Sequence, residues 1–162
     1  MKLKKQNNKV AIIMGSQSDH SIMKNCEKIL KILKIKYQVS IVSAHRTPKR
    51  MFDFAEKAEK NGFGVIVAGA GGAAHLAGMV ASLTTLPVIG VPIESKKLKG
   101  LDSLLSVNQM PRGVVVATVA IDGSFNAGIL AASIIGNFDE KVKSNLEKWR
   151  RIQTQSIKKK PK

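Results

Sequence analysis

Residues Val65–Met79 read VIVAGAGGAAHLAGM, and the fold of the chain turns on how this stretch divides. Val65-Ile66-Val67-Ala68 is apolar throughout, with no charge for either face. A strand buried on both sides of a parallel sheet has that composition, whereas a half-exposed strand alternates. The run then breaks into Gly69-Ala70-Gly71-Gly72, and small residues continue through Ala73-Ala74 to His75. The spacing predicts a strand over 64–68 and a helix over 73–83, with His75 in the first turn of that helix. Glycines between a strand and a helix let backbone approach a ligand closely. The helix start offers unpaired N–H groups to an anion. A tight turn or a helix cap explains such glycines equally well, so the loops that share their edge must decide.

Outward from this stretch, strands alternate with helices. Lys9–Met14 reads as the first strand, followed by Gly15-Ser16-Gln17-Ser18-Asp19. A helix from about Asp19 to Leu33 carries Ile22, Met23, Cys26, Ile29, Leu30 and Leu33 at helical spacing, with Ser18 or Asp19 as its N-cap. Tyr37–Val42 is a second strand, which leaves through SAHRTP (43–48). Thr47 as N-cap with Pro48 at the first helical position starts a helix that runs to about Lys60 and ends at Asn61-Gly62. On the other side, Pro87–Val91 is a fourth strand, and Pro92 opens an irregular segment with a short helix over 101–106. Val114–Val119 is a fifth strand, followed by helices over about 126–135 and 139–157. This alternation predicts an α/β fold, a parallel sheet covered by helices on both faces. Right-handed crossovers put the C-terminal ends of all the strands on one edge, where open α/β sheets bind ligands. That edge collects GSQSD, SAHRTP and AGAGGAAH.

The 162 residues suit one domain, spanning 1–162, with a core over about 9–136, a C-terminal helix over about 139–157 and basic termini. That last helix, which contains Trp149, either covers the domain or reaches a neighbouring subunit. With 44% hydrophobic and only 4% aromatic residues, the core is aliphatic. No apolar run approaches the roughly 18 residues of a membrane span, and no secretory leader is legible. A single cysteine, Cys26, leaves no intrachain disulfide and fits a reducing cytoplasm. The net charge of +16 suggests a nucleic-acid binder or simply a Lys-rich surface. The lysines cluster at the termini (Lys2, Lys4, Lys5, Lys9; Lys158, Lys159, Lys160, Lys162) without interleaved aromatics, which favours the second reading. Either way the field attracts an anionic substrate.

In SAHRTP a histidine and an arginine at one strand end can divide labour. An imidazole moves protons near neutral pH, and a guanidinium forks onto phosphate. A surface His and a helix-start Arg would look the same. GSQSD adds small hydroxyls and N–H groups for phosphate. Asp19 is placed to accept from ribose hydroxyls or to cap the following helix. His20, His45, His75 and Cys26 do not have metal-ligand spacing. Walker and dinucleotide glycine motifs are missing after the first strand, as is the acidic pair of a receiver domain. A flavin module is compatible with the fold alone.

MGSQSD, SAHRTP, AGAGGAAHLAGM, GLDSLLSVNQMPRGVVVATVAI and NAGILAA, in that order, resemble the N5-carboxyaminoimidazole ribonucleotide mutase family of bacterial purine biosynthesis, from about Val10 to Trp149. The resemblance implies a three-layer flavodoxin-like fold with a C-terminal extension helix, forming a single catalytic domain. It implies a homo-octamer in the cytoplasm, with no metal and no organic cofactor. Substrate phosphate and ribose would lie on Ser16, Asp19 and Arg46, with Ser18 and Ser43 lining the site. His45 would be the catalytic proton carrier. Ala70, Gly71, His75 and Leu76 would surround the transferred carboxylate, which moves from the exocyclic nitrogen to a ring carbon.

The chain departs from the family pattern at three positions. His20 stands where an aromatic or apolar residue is usual, and Ala77 and Val115 stand where proline is usual. Residues 121–126 also form a shorter segment than is common. These changes bear on the packing of the first loop and on the start of the third helix, and none removes a named catalytic group. The rival within the same chemistry is a carboxylase acting on aminoimidazole ribonucleotide and free CO2. It usually departs from SAHRTP after the histidine. The rival from another class is a basic nucleic-acid-binding module.

Overall fold

A computed structural model describes residues 7–160. Lys2, Lys4, Lys5 and Lys162 of the basic termini lie outside the described residues. Strands β1 (Lys9–Met14), β2 (Tyr37–Ile41), β3 (Phe63–Gly71), β4 (Val88–Ile93) and β5 (Ala117–Thr118) form one parallel sheet. Their order is β2-β1-β3-β4-β5, which is the flavodoxin-like arrangement. Helices α1 (His20–Ile32), α2 (Pro48–Lys57), α3 (Leu76–Ala81), α4 (Leu101–Asn108), α5 (Ser124–Gly136) and α6 (Glu140–Ser156) make the outer layers.

The two-residue period of the strands divides the core in two. Val10, Ile12 and Met14 of β1, with Val65 and Val67 of β3, pack against Met23, Cys26, Ile29 and Leu30 of α1, Ala127 and Ala131 of α5, and Val142 and Leu146 of α6. The alternate residues Ala11, Ile13, Ile66 and Ala68 pack against Met51 and Ala55 of α2, Leu76, Ala77 and Val80 of α3, and Val107 of α4. β3 is buried along its length up to Gly71 because both faces are covered. That explains its unbroken apolar reading. α1 and α5 lie very close: a Cβ on Gly128 would stand 2.4 Å from Ile29 Cγ2. Trp149 rests on Phe125, with ring centroids 6.0 Å apart, so α6 covers the domain as far as that point.

Several boundaries differ from the sequence reading. β3 runs on through Ala70 and Gly71 because β4 is longer than expected, and these residues pair with Pro92 and Ile93. α3 shrinks to six residues, so Ala73 and Ala74 stay in the loop and His75 occupies the N-cap position, not the first turn. α2 stops at Lys57, and α4 extends to Asn108. β5 contracts to two residues. Val115, expected inside it, is 80% exposed.

The chain steps from β1 outward to β2 and then back across to β3, so strand order reverses between β1 and β3. The loops leaving these strands therefore diverge and leave a crevice at the C-terminal edge.

Candidate active site

A cavity of about 420 Å³ opens at that crevice. Its size falls within the roughly 300–1,000 Å³ of small-molecule sites. Gly15, Ser16, Ser18 and Asp19 line it from the loop after β1, and Ser43, Ala44, His45 and Arg46 from the loop after β2. Ala70–Ala73 and Leu76 come from the end of β3 and the start of α3. Ile93, Glu94 and Ser95 come from the end of β4.

In the first loop, residues 17–19 coil into a single 3-10 turn ahead of α1. Ser16 caps this turn, its Oγ accepting from the Ser18 N–H at 3.4 Å and the Ser18 hydroxyl at 3.1 Å. Asp19 stands at the N-cap position of α1, yet its side chain makes no capping hydrogen bond. The carboxylate is thus not spent on the helix and lines the cavity. Burial raises its carboxyl above the ordinary range, and the Ser16 main chain, the Ser18 hydroxyl and the Arg46 charge only partly pull it back.

The second loop is wound by its own side chains. Thr47 holds the N-cap position of α2 as the sequence predicts, but its hydroxyl makes no capping bond and turns back, donating to the Ser43 carbonyl and accepting from the Ser43 N–H, both at 3.0 Å. Buried Ser43 in turn accepts from the Arg46 N–H and Nε at 3.3 Å. The Arg46 Nη2 donates to the Gly15 carbonyl at 2.6 Å, tying this loop to the first. The guanidinium is aimed without an ion pair: none of those among the described residues involves Arg46.

The exposed His45 ring meets His75 edge to face, with His45 Nε2 2.9 Å from His75 Nδ1. Two imidazoles in hydrogen-bond contact can hold one proton between them and fix each other's tautomer. His75 touches His45 but does not itself line the cavity. Gly71 cannot carry a side chain without crowding, since a Cβ there would stand 3.3 Å from the Ile93 carbonyl oxygen. Gly72 has φ +68°, a left-handed conformation that favours glycine. Together with Ala70 and Ala73 they form a wall with almost no side chains.

The structure thus gathers Ser16, Ser18, Asp19, Ser43, His45, Arg46, Ala70, Gly71 and Leu76 around one cavity, with His75 immediately behind. Sequence reasoning missed Ile93, Glu94 and Ser95. β4 ends on the same edge as the other strands, and treating Pro92 as the end of regular structure hid its contribution. Among the described residues no group of three or more His, Cys, Asp or Glu side chains is arranged to hold a metal ion. None of the helices there is long and apolar enough to cross a membrane.

A family model described as AIR carboxylase matches residues 9–156. The N5-carboxyaminoimidazole ribonucleotide mutase of Thermotoga maritima is 58% identical over 147 residues, covering 88% of this chain and 86% of that protein. The Escherichia coli K12 protein of the same name is 51% identical over 151 residues, covering 92% and 89%. The crystal structure of Treponema denticola PurE superposes with a TM-score of 0.84 at 27% identity, covering 92% of this chain and 93% of that one.

Proposed function

The chain belongs to the AIR carboxylase family, and on that footing we infer that it is an isomerase of purine biosynthesis. It converts N5-carboxyaminoimidazole ribonucleotide to 4-carboxyaminoimidazole ribonucleotide. The observation that carries this reading is the single cavity in which a proton-carrying His45, phosphate and ribose partners, and a wall of Gly and Ala come together. Ser16, Ser18 and Arg46 take the phosphate, and Asp19 accepts from ribose hydroxyls. Ser43 holds Arg46 in place.

The chemistry follows from what such a site can do. The N–C bond of the carbamate breaks, and its electron pair stays on the exocyclic nitrogen. The nitrogen takes a proton from the imidazolium of His45, and CO2 is released inside the cavity. The enamine-like ring carbon attacks the CO2, a C–C bond forms, and the displaced ring proton returns to His45. The net change is an isomerisation with no co-reactant. His75 holds His45 through Nε2 and leaves Nδ1 for the substrate. CO2 kept beside the ring carbon has an effective concentration that solution cannot match. A wall of Ala70, Gly71, Gly72 and Ala73 suits so small a molecule.

The protein acts in the cytoplasm as a homo-octamer, without metal or organic cofactor. Leu98, Leu101, Leu105 and Val115 are each more than half exposed, and that apolar surface supports assembly. The second half of α6 is likewise uncovered in the single chain.

The decisive assay offers each imidazole substrate separately, with chelator present and ATP absent. The N5-carboxylated ribonucleotide should be converted. Turnover of aminoimidazole ribonucleotide with CO2, without turnover of the carbamate, would identify the carboxylase reaction instead. Restoration of a chelator-abolished activity by zinc would overturn the metal-free mechanism.

A further inference from the structure

The segment GLDSLLS (100–106) forms the start of α4 and lies behind the cavity wall. Ser103 is 0% exposed and is not among the residues lining that cavity, so its hydroxyl serves neither solvent nor substrate directly. Its Oγ donates to the Ile93 carbonyl at 2.6 Å and accepts from the Gly72 N–H at 2.8 Å. These two backbone groups belong to the last residue of β4 and to the residue that follows β3. The paired register of those strands finishes at Gly71 and Ile93, where the strands separate to open the cavity. The Ser103 hydroxyl is therefore inserted as one further rung between them.

Its neighbours reinforce the same place. Asp102 Oδ1 accepts from the Ser103 N–H at 2.9 Å and from the Ser95 hydroxyl at 2.7 Å. Ser95 lines the cavity. The Ser106 hydroxyl hydrogen goes to the Asp102 carbonyl at 2.7 Å, and its 3.3 Å contact with the Gly72 carbonyl is the weaker arm. Both backbone polar groups of Gly72 thus face hydroxyls of α4.

We propose that Ser103 is a positioning residue that sets the spacing of the wall between Gly72 and Ile93, and thereby decides whether CO2 formed in the cavity is recaptured. The proposal rests on the isomerase reading above. Gly72 has no side chain and a left-handed backbone, so nothing of its own holds it against the strand end. Removing the hydroxyl deprives a part-buried N–H and a buried carbonyl of this shared partner. The wall then moves to satisfy them, and the small dry volume is lost.

The test is a single turnover with enzyme in excess and substrate labelled in the transferred carboxylate. Labelled CO2 released is compared with label retained in the product, after subtraction of uncatalysed loss. Ser103→Ala should raise the released-to-retained ratio by about tenfold, the effect of one lost hydrogen bond on competing barriers. Binding of the unlabelled product should stay within about twofold, because Ser16, Asp19 and Arg46 are untouched. Ser106→Ala should move the ratio in the same direction by less, and it carries the test if Ser103→Ala does not fold. Full retention of label by a folded Ser103→Ala, or by Ser106→Ala where that variant stands in, overturns the proposal. So does a loss of turnover at an unchanged ratio, which is what a merely structural role would give. If the unaltered protein fails to convert the carbamate, the isomerase reading itself falls. If it converts normally and only the ratio is unmoved, the Ser103 inference alone falls.

Discussion

His45 and Arg46 are adjacent in sequence but should fail differently, because one moves a proton and the other holds charge. His45→Asn keeps a polar group near His75 yet removes the titrating ring. Single-turnover rates should fall by roughly 100- to 10,000-fold while substrate still binds. Arg46→Ala should instead weaken binding by about 1.5–3 kcal/mol, the worth of a charged hydrogen bond, as read from a titration with product. Normal turnover by His45→Asn would move the proton carrier elsewhere, with His75 next in line at 2.9 Å. Asp19 carries a different tension. Its folded-state pKa is raised, chiefly by burial, so the folded protein binds more protons than the unfolded chain just above the ordinary carboxylate range. Stability therefore falls as pH rises through that window, and the ionised carboxylate costs stability at neutral pH. Asp19→Asn should raise the melting temperature of the ligand-free protein near about pH 7 and weaken substrate binding. The gain should vanish at pH values below the ordinary carboxylate range. A lower melting temperature at neutral pH would contradict this account. The polar residues that line the cavity from the first two loops were legible in the sequence because their types announce chemistry. Ser103 was not, since a serine that joins two backbone groups across 31 and 10 residues of chain has no local signature.

At the scale of elements, burial decided what could be read. β1 and β3 are long, apolar and covered on both faces, and periodicity located them. β5 could not be located the same way, because Val114–Val119 is as apolar as a strand. Only pairing with β4 shows that Ala117 and Thr118 alone join the sheet. α3 was overestimated for a related reason: Ala73 and Ala74 have high helix propensity but are held in a loop whose next backbone group, that of Gly72, is bound by α4. α6 was well bounded because its cap is chemical. Asp139 Oδ1 accepts from the N–H groups of Lys141 and Val142, both at 3.1 Å, and Asp139 Oδ2 accepts from the Asn8 amide at 3.0 Å. These bonds, the Asn8 contact foremost, hold its carboxyl below the ordinary range. A lowered folded pKa gives stability that is present above the unfolded value and is lost as pH falls through the folded one. Asp139→Ala should cost about 0.5–2 kcal/mol at neutral pH in denaturant unfolding, as for other N-caps. The difference between parent and variant should close at acid pH. A difference that stays constant with pH would mean that the carboxylate charge plays no part in the cap.

For the whole molecule, the unresolved tension in the sequence was a charge of +16 with no nucleic-acid signature. The fold sharpens it. Among the Lys and Arg side chains of the described residues, only Lys49, Lys57 and Lys143 pair with carboxylates. Phe125 and Trp149 pack on each other, which leaves them poor platforms for stacked bases. What remains is a long-range field around a cavity whose proposed ligand carries both a phosphate and a carboxylate. Such a field acts on encounter more than on chemistry. It is largely screened once the Debye length falls to about 8 Å at physiological ionic strength. Raising salt from about 10 to 150 mM should therefore depress kcat/KM substantially and leave kcat nearly unchanged. The same series on Arg46→Ala separates field from contact. If the whole surface does the steering, that variant starts lower but keeps most of the salt slope, since it removes one charge among many. A slope that disappears with Arg46 would assign the attraction to the site alone. Tight, salt-sensitive retention on polynucleotide with a salt-independent kcat/KM would mean that the charge serves a different partner.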